Sequence, residues 1–378
     1  EETLKNAEHA QVWITSYDLL KRDLERYENN GFSYQIIDEA QVIKNHSTQS
    51  AKAVKAIRAE HRFALTGTPI ENRLSELWSI FDYLMPGYLY PYAYFREELE
   101  IPIIKNEDEQ AARRLRRLMK PFVLRRLKQE VLKELPEKLE TVVYSRMETE
   151  QKQLYAAYAS KVRAELSQKT PEEYRENKIQ ILSALMRLRQ LCCDPALCYD
   201  NYEGGSAKLN TCMELIGEGL EAGHRFLLFS QFTTMLERIK MELEKKGVPY
   251  FMLTGSTPKQ DRVLMAERFN EGEGGVFLIS LKAGGTGLNL TGADMVIHYD
   301  PWWNLAAQNQ ATDRAHRIGQ KNKVTVWKLV AKGTIEENII RLQESKHKLA
   351  EQILGGGEGG LASLTQEEIL ALLNEFPD

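Results

Sequence analysis

The chain has 378 residues, 43% hydrophobic and 28% charged, and a formal net charge of −4 at pH 7. This is ordinary globular composition with room for two or three domains, and it excludes anion binding through a global basic charge, leaving only local patches. No run approaches the roughly 18 apolar residues of a membrane span and no secretory leader opens the chain, so a soluble cytoplasmic protein is expected.

The first residues, EETLKNAEHAQVWITSYDLL, begin mid-pattern without an initiator Met, as in a fragment of a longer protein. Strands are expected near Val12–Ser16, Tyr34–Asp38 and Arg62–Thr66, with helices between them and another after Asn72. Short apolar strands alternating with helices predict a parallel α/β sheet. From about Ser75 to about Cys193 the pattern is mostly helical, and Arg113 to Lys128 carries eight basic residues and no acid. Cys192, Cys193, Cys198 and Cys212 lack C-x-x-C spacing and His partners, which favours structural thiols over zinc or redox chemistry. After the loop YDNYEGGSAK a second alternating block follows, with RFLLFS, VPYFMLTG, GVFLIS, ADMVIHYD and VTVWKLV as strands. A long helix over 334–354, a flexible GGGEGG break and a short amphipathic helix, LTQEEILALLNEF, close the chain. The expected organisation is two α/β blocks separated by a helical insertion, with functional loops at the carboxyl ends of the strands.

Four stretches carry chemistry. In YQIIDEAQVIKN an apolar strand delivers Asp38 and Glu39 to its end. In nucleotide hydrolases such an Asp holds the water shell of Mg²⁺ and the Glu orients the attacking water; acids opening a helix would look the same. In ALTGTPIEN a strand ends in a turn whose hydroxyls, Thr66 and Thr68, can hydrogen-bond a carboxylate such as Glu39; an ordinary turn with an N-cap also fits. In ISLKAGGTGLNLTGAD, Gly284, Gly285 and Gly287 bracket Thr286 after a strand, with Lys282 adding charge. Exposed N–H groups there would take the phosphate of a nucleotide or a nucleic acid, unless the loop is merely a turn. In QNQATDRAHRIGQ, helical spacing places Gln310, Asp313, Arg314 and Arg317 on one face. Two arginines there suit a triphosphate, though a salt-bridged face is the plainer alternative.

Together DEAQ, LTGTPIEN, SLKAGGTGLNLTGAD, VIHYDPWWN and QATDRAHRIGQ, in this order, resemble the SWI/SNF-type family of helicase-superfamily-two ATPases. FVLRRLKQEVLKELPEK, LRQLCCDP and FLLFSQFTTML resemble further blocks of that family, to about Leu354. The resemblance implies an α/β fold of two RecA-like lobes: the end of the first over 1–85, helical protrusions and linker over 86–200, the second lobe over 201–333, a bracing helix over 334–354 and a linker with a short helix over 355–378. It implies ATP and Mg²⁺ as cofactors, with Asp38 and Glu39 as the metal and water acids. Arg314 and Arg317 would be arginine fingers, Gln310 and Asp313 their companions, and Thr66 and Thr68 the link between nucleotide state and DNA; Gly287 is grouped with the nucleotide contacts. Ser230, Gln231, Thr254, Gly255, Lys282, Gly284, Gly285 and Thr286 would grip strand phosphates. Trp302 and Trp303 match an aromatic pair near the DNA, core packing being the alternative. The implied partner is double-stranded DNA, held through its backbone, in a nucleoid or a nucleus. A protein partner could use the protrusions or the last helix.

Leu305 stands where many members have Pro, and Gln41 where many have His. No phosphate-binding G-x-x-x-x-G-K-[ST] occurs in the 378 residues. That loop is expected upstream of Glu1, leaving the first sheet incomplete and this chain inactive alone. A strand-separating helicase and a non-catalytic DNA- or partner-binding fragment stay open at this point.

Overall fold

The computed structural model describes residues 10–67, 74–106, 108–126, 128–284, 287–343 and 366–373. They divide into two compact units, one running to Leu124 and one starting at Arg125.

In the first unit, β1 (Gly31–Ile37) and β2 (Arg58–Ala64) pair in parallel, with Ile37 opposite Ala64. Residues 12–16, expected as a strand, form none, and Val12 and Ile14 are exposed. Among the described residues their apolar alternation pairs with no strand; instead Trp13 packs edge-on against Tyr27 and Phe32, and Ser16 caps helix Tyr17–Arg22. One face of the strand pair is covered. Ile37 joins Leu20, Ala51, Val54, Ile80 and Tyr83 from surrounding helices in a buried cluster. The polar residues facing that side are bonded in part: Arg62 donates to the carbonyls of Tyr83 (2.8 Å) and Ile57 (2.9 Å), and Gln35 to that of Val54 (3.0 Å), while Arg62 Nε and Gln35 Oε1 are buried without a hydrogen-bond partner. On the other face Tyr34, Ile36, Phe63 and Leu65 are 62%, 62%, 50% and 54% exposed. Helices Leu74–Leu84, Ile101–Lys105 and Glu109–Met119 pack around Leu77, Phe81, Phe95, Leu99 and Leu115.

The second unit is built on six parallel strands: β3 (Lys138–Ser145), β4 (Phe226–Ser230), β5 (Tyr250–Leu253), β6 (Val276–Ser280), β7 (Met295–His298) and β8 (Val324–Ala331), in the order β3-β8-β7-β4-β6-β5. The five strands from β4 onward fall where the apolar runs placed them. β3 was not expected, because KLETVVYS mixes charge into a half-exposed edge; it is recognised only by its partner β8, from Lys138 opposite Val324 to Ser145 opposite Ala331. Every residue of β4 and β6 is buried. Alternate residues go to opposite faces: Phe226, Leu228, Val276 and Leu278 join one core, Leu227, Phe229, Phe277 and Ile279 another. Both faces are therefore covered, as a parallel sheet requires. A third core joins helices Thr149–Ser167 and Lys178–Cys193 to Ile335 and Ile339 of helical residues 335–343, and to Ile369 and Leu372 of the last helix, Gln366–Leu372. Residues 344–365, which include the rest of the expected long helix and the GGGEGG stretch, lie outside the described residues.

Candidate functional site

The acidic pair sits where its strand ends. Ile37 is the last residue of β1; Asp38 and Glu39 follow, both exposed. The Leu65 amide donates to the Ile37 carbonyl (2.8 Å) and the Ala40 amide to the Leu65 carbonyl (2.9 Å), so the acids and the Thr66 turn leave the sheet side by side. Glu39 has φ of 49° and ψ of 53°, a left-handed conformation uncommon outside Gly and Asn. Its amide donates to Asp38 Oδ1 (2.8 Å), which turns the chain into the 3₁₀ turn Ala40–Ile43. Strain of this kind, about 1–3 kcal/mol, is held mostly where side-chain placement matters. Gln41 Nε2 donates to Glu39 Oε2 (2.6 Å), and Thr66 Oγ1 donates to Gln41 Oε1 (2.7 Å). The expected bond between Thr66 and Glu39 thus has a relay, built on the residue that departs from the family pattern. The Tyr17 hydroxyl donates to the Asp38 carbonyl (2.6 Å); burial, and then the charges of Asp38 and Glu39, push its pKa to about 12 and keep it a donor. Thr68 lies outside the described residues.

The arginine segment differs from expectation. Helix Leu305–Thr312 ends before both arginines, and Asp313 is its C-cap. Arg314 and Arg317 lie in the turns beyond it, Arg314 buried and Arg317 exposed, so they share no helix face. Tertiary bonds override the helical spacing: the Leu290 amide donates to the Arg314 carbonyl (2.9 Å), and Gln320 Nε2 donates to the Ala293 carbonyl (2.7 Å). These bonds staple the arginine turns to the stretch that begins at Gly287, joining two motifs that are apart in sequence. Asp313 is paired with Lys128 (2.7 Å), and the His316 ring nitrogen Nε2 contacts the Pro136 carbonyl (2.8 Å). Gln310 remains on the helix, half-buried. Leu305 occupies the first helical position after the cap Asn304, where Pro is favoured but not required.

Of the glycine loop, Leu281–Gly284 forms a helical turn directly off β6, the Ala283 amide bonded to Ser280 Oγ (3.4 Å). Lys282 and Gly284 belong to that turn by their backbone, while Gly285 and Thr286 lie outside the described residues. Gly287 is exposed. Thr254 and Gly255 follow β5 in a surface loop. Arg262 grips it through the carbonyls of Thr257 (2.8 Å) and Gly255 (3.1 Å), leaving Thr254 Oγ1 against Ser256 Oγ (2.8 Å).

Ser230 and Gln231 are turned inward. Ser230 is buried and its hydroxyl bonds Asp300 Oδ1 (2.5 Å); Gln231 Oε1 accepts from Arg189 Nη1 (2.9 Å). The Ser230 hydroxyl, in a segment expected to grip strand phosphates, thus meets a buried carboxylate here. Arg189, fully buried, also reaches Asp300 (3.4 Å) and the Pro301 carbonyl, and lies over the rings of Phe232 and Trp303 (5.7 and 5.4 Å). Trp303 is 9% exposed and belongs to the core of helices Thr149–Ser167 and Lys178–Cys193, the alternative considered for it; Trp302 is half-buried. A second buried pair, Lys208 with Glu336 (2.5 Å), lies below, Glu336 also accepting from the Ala331 amide (2.9 Å). Sequence reasoning passed over Arg189, Asp300, Lys208 and Glu336. The available signal was a charged residue inside an apolar run, as Arg189 is between Leu188 and Leu191. Cys192, Cys193 and Cys212 are buried, and burial pushes all three thiols up.

Among the described residues no helix is long and apolar enough to cross a membrane, and no group of three or more His, Cys, Asp or Glu is arranged for a metal ion. The SNF2-related domain family matches residues 2–197, and the helicase conserved C-terminal domain matches residues 207–319. The chain is 42% identical to a putative ATP-dependent helicase/translocase of Bacillus subtilis, over 96% of this chain and 40% of that protein. It is 39% identical to an uncharacterized ATP-dependent helicase of Mycoplasma pneumoniae, over 96% of this chain and 34% of that one. It therefore spans about two fifths or less of these relatives. Among solved structures it is similar to the Sulfolobus solfataricus SWI2/SNF2 ATPase core in complex with double-stranded DNA, 36% identical with a TM-score of 0.55, covering 96% of this chain and 76% of that one. The parallel sheets are those of RecA-like lobes, and the chain belongs to the SNF2-related family of helicase-like proteins.

Proposed function

We propose that this chain is part of an ATP-driven translocase that moves on duplex DNA and remodels DNA–protein complexes. The observation that carries the reading is the Asp38–Glu39 pair, held at the carboxyl end of a parallel strand with Glu39 linked through Gln41 to Thr66. The helicase/translocase name of the Bacillus relative and the duplex bound by the Sulfolobus core support it.

Asp38 spends one oxygen on the Glu39 amide and is otherwise exposed. A lone exposed carboxylate suits Mg²⁺, which keeps most of its waters and relies on substrate phosphates rather than a protein cage. Asp38 would hold that ion through water, and the bound ion would neutralise phosphate charge. Glu39 orients the attacking water, and Thr66 senses its state through Gln41. Arg317, exposed beyond its helix, stabilises charge on the transferred phosphoryl group, while buried Arg314 sets the turn that presents it. Gln310, Asp313 and Gly287 line the same segment as its companions. The loop at Thr254 and Gly255 and the turn from Lys282 hold backbone phosphates, which carry no sequence code. Gln231 and Trp303, both turned inward, support those contacts from behind. Without a G-x-x-x-x-G-K-[ST] in its 378 residues, the chain alone should hydrolyse ATP negligibly.

The test is steady-state ATP turnover of the full natural protein with and without duplex DNA, beside Arg317→Ala. Duplex should stimulate turnover about tenfold or more, and the substitution should lower it by roughly 10³-fold, as for arginine fingers generally. Turnover indifferent to both DNA and Arg317 would overturn the reading and leave a DNA- or partner-binding module.

A further inference from the structure

The basic segment singled out in the sequence is not absorbed by the sites above. Its first half is helix Glu109–Met119, whose Ala111, Ala112, Leu115 and Met119 are buried. At 3.6 residues per turn, Arg113, Arg114, Arg117 and the C-cap residue Lys120 fall within an arc of about 120° on the opposite side, and all four are exposed. Arg113 pairs with Glu109 of the same helix (2.7 Å). Arg114 lies over the ring of Tyr90 (5.6 Å) and donates to its hydroxyl (3.3 Å), with Tyr94 packed on Tyr90 (4.9 Å between ring centres).

Tyr90 is specially held for that contact. It has φ of 64°, rare for a bulky residue. The Trp78 indole N–H donates to its carbonyl (3.0 Å), and its own amide donates to Gly87 (3.1 Å). The groups that raise the Arg114 pKa are Tyr90 and Tyr94, with no carboxylate among them. A guanidinium that meets only neutral tyrosines keeps its positive charge, and its remaining N–H donors, for a second partner such as phosphate.

We propose that this face, centred on Arg114, Arg117 and Lys120, is a contact for duplex-DNA phosphates in the helical part of the first unit. It rests on the reading of the chain as a duplex-DNA motor. The face belongs to the motor's grip on DNA and adds affinity without sequence preference.

The test is fluorescence anisotropy of a labelled mixed-sequence duplex across a salt series, using the full natural protein. Removing three phosphate contacts with Arg114→Ala/Arg117→Ala/Lys120→Ala should lower the slope of log Kd against log salt by about 2–3, near 0.9 per contact. Binding at low salt should weaken about tenfold or more. Arg114→Lys/Arg117→Lys, with Lys120 intact, should restore most of the slope. Equal charge removal on another helix, Lys152→Ala/Lys161→Ala/Arg163→Ala, should leave the slope near wild type. An unchanged slope in the first variant overturns the proposal while leaving the motor reading intact. So does an equal loss in the control, or an unchanged duplex affinity with weakened polyglutamate binding, which would assign the face to an acidic protein. A wild-type protein that does not bind duplex overturns both.

Discussion

In the second unit every residue of β4 and β6 is buried between two apolar cores, whereas in the first unit Tyr34, Ile36, Phe63 and Leu65 leave one face of the β1–β2 pair exposed. The same strand chemistry is therefore held in two ways. The second unit carries its ion pairs where water does not reach: Arg189 with Asp300 and Lys208 with Glu336. The first unit fixes Asp38 and Glu39 near the surface, through short hydrogen bonds and one left-handed residue. Charges taken out of water must meet in close geometry or cost several kcal/mol each. Exposed ones tolerate substitution, which is why the contrast can be tested by mutation.

The largest effect should come from breaking a buried pair. Lys208→Met leaves Glu336 buried and uncompensated, and should cost about 3–5 kcal/mol of second-unit stability in urea unfolding followed by circular dichroism. Adding Glu336→Leu removes the orphaned charge and should return most of the loss. A double variant as unstable as the single one would mean that shape, not charge, holds this junction.

A pH series sharpens the comparison next. His298 is buried in β7, with Nε2 against Thr312 Oγ1 (2.8 Å); burial first, then the charge of Lys328, lowers its pKa to about 3. Unfolded, the imidazole takes up a proton below about pH 6.5, while the folded one stays neutral. Stability should therefore be full above that pH and fall by about 1.4 kcal/mol per unit as pH drops toward 3. Glu140 adds a second fall between about pH 4.5 and 2: burial opposes it, but Lys328 and Lys138 carry its pKa down to about 2. Its exposure limits that part to roughly 1 kcal/mol. The check is urea unfolding at pH 7.0, 6.0 and 5.0 for wild type and His298→Gln; equal slopes in the two proteins would sink the assignment.

The smallest effect is expected on the open face of β1. Ile36→Lys should change the stability of the 378-residue chain by no more than about 0.5 kcal/mol, as surface substitutions do. A loss of several kcal/mol in thermal unfolding would show that this face is covered in solution and would erase the contrast.

Much of this was legible without coordinates, for identifiable reasons. The runs FLLFS and VFLIS can be satisfied only by burial on both sides, so β4 and β6 were plain. Asp38 and Glu39 were legible as acids at a strand end, because they close the apolar run of Ile36 and Ile37, although acids opening a helix would have looked the same. β3 was hidden because an edge strand with Lys138 and Glu140 on it has no apolar signature until β8 is beside it. The strand expected at residues 12–16 was the converse, a good pattern that pairs with no strand among the described residues.

The sequence by itself determined the parallel α/β architecture, the order of the motifs and the acids at the end of β1, since periodicity and residue chemistry are local. Only the tertiary structure decided which charges are buried together, and where the helix bearing Gln310 stops. It also showed that Ser230 faces Asp300 and that Gln41 joins Glu39 to Thr66. Those outcomes depend on desolvation and on hydrogen bonds between segments far apart in the chain, and neither leaves a periodic trace in it.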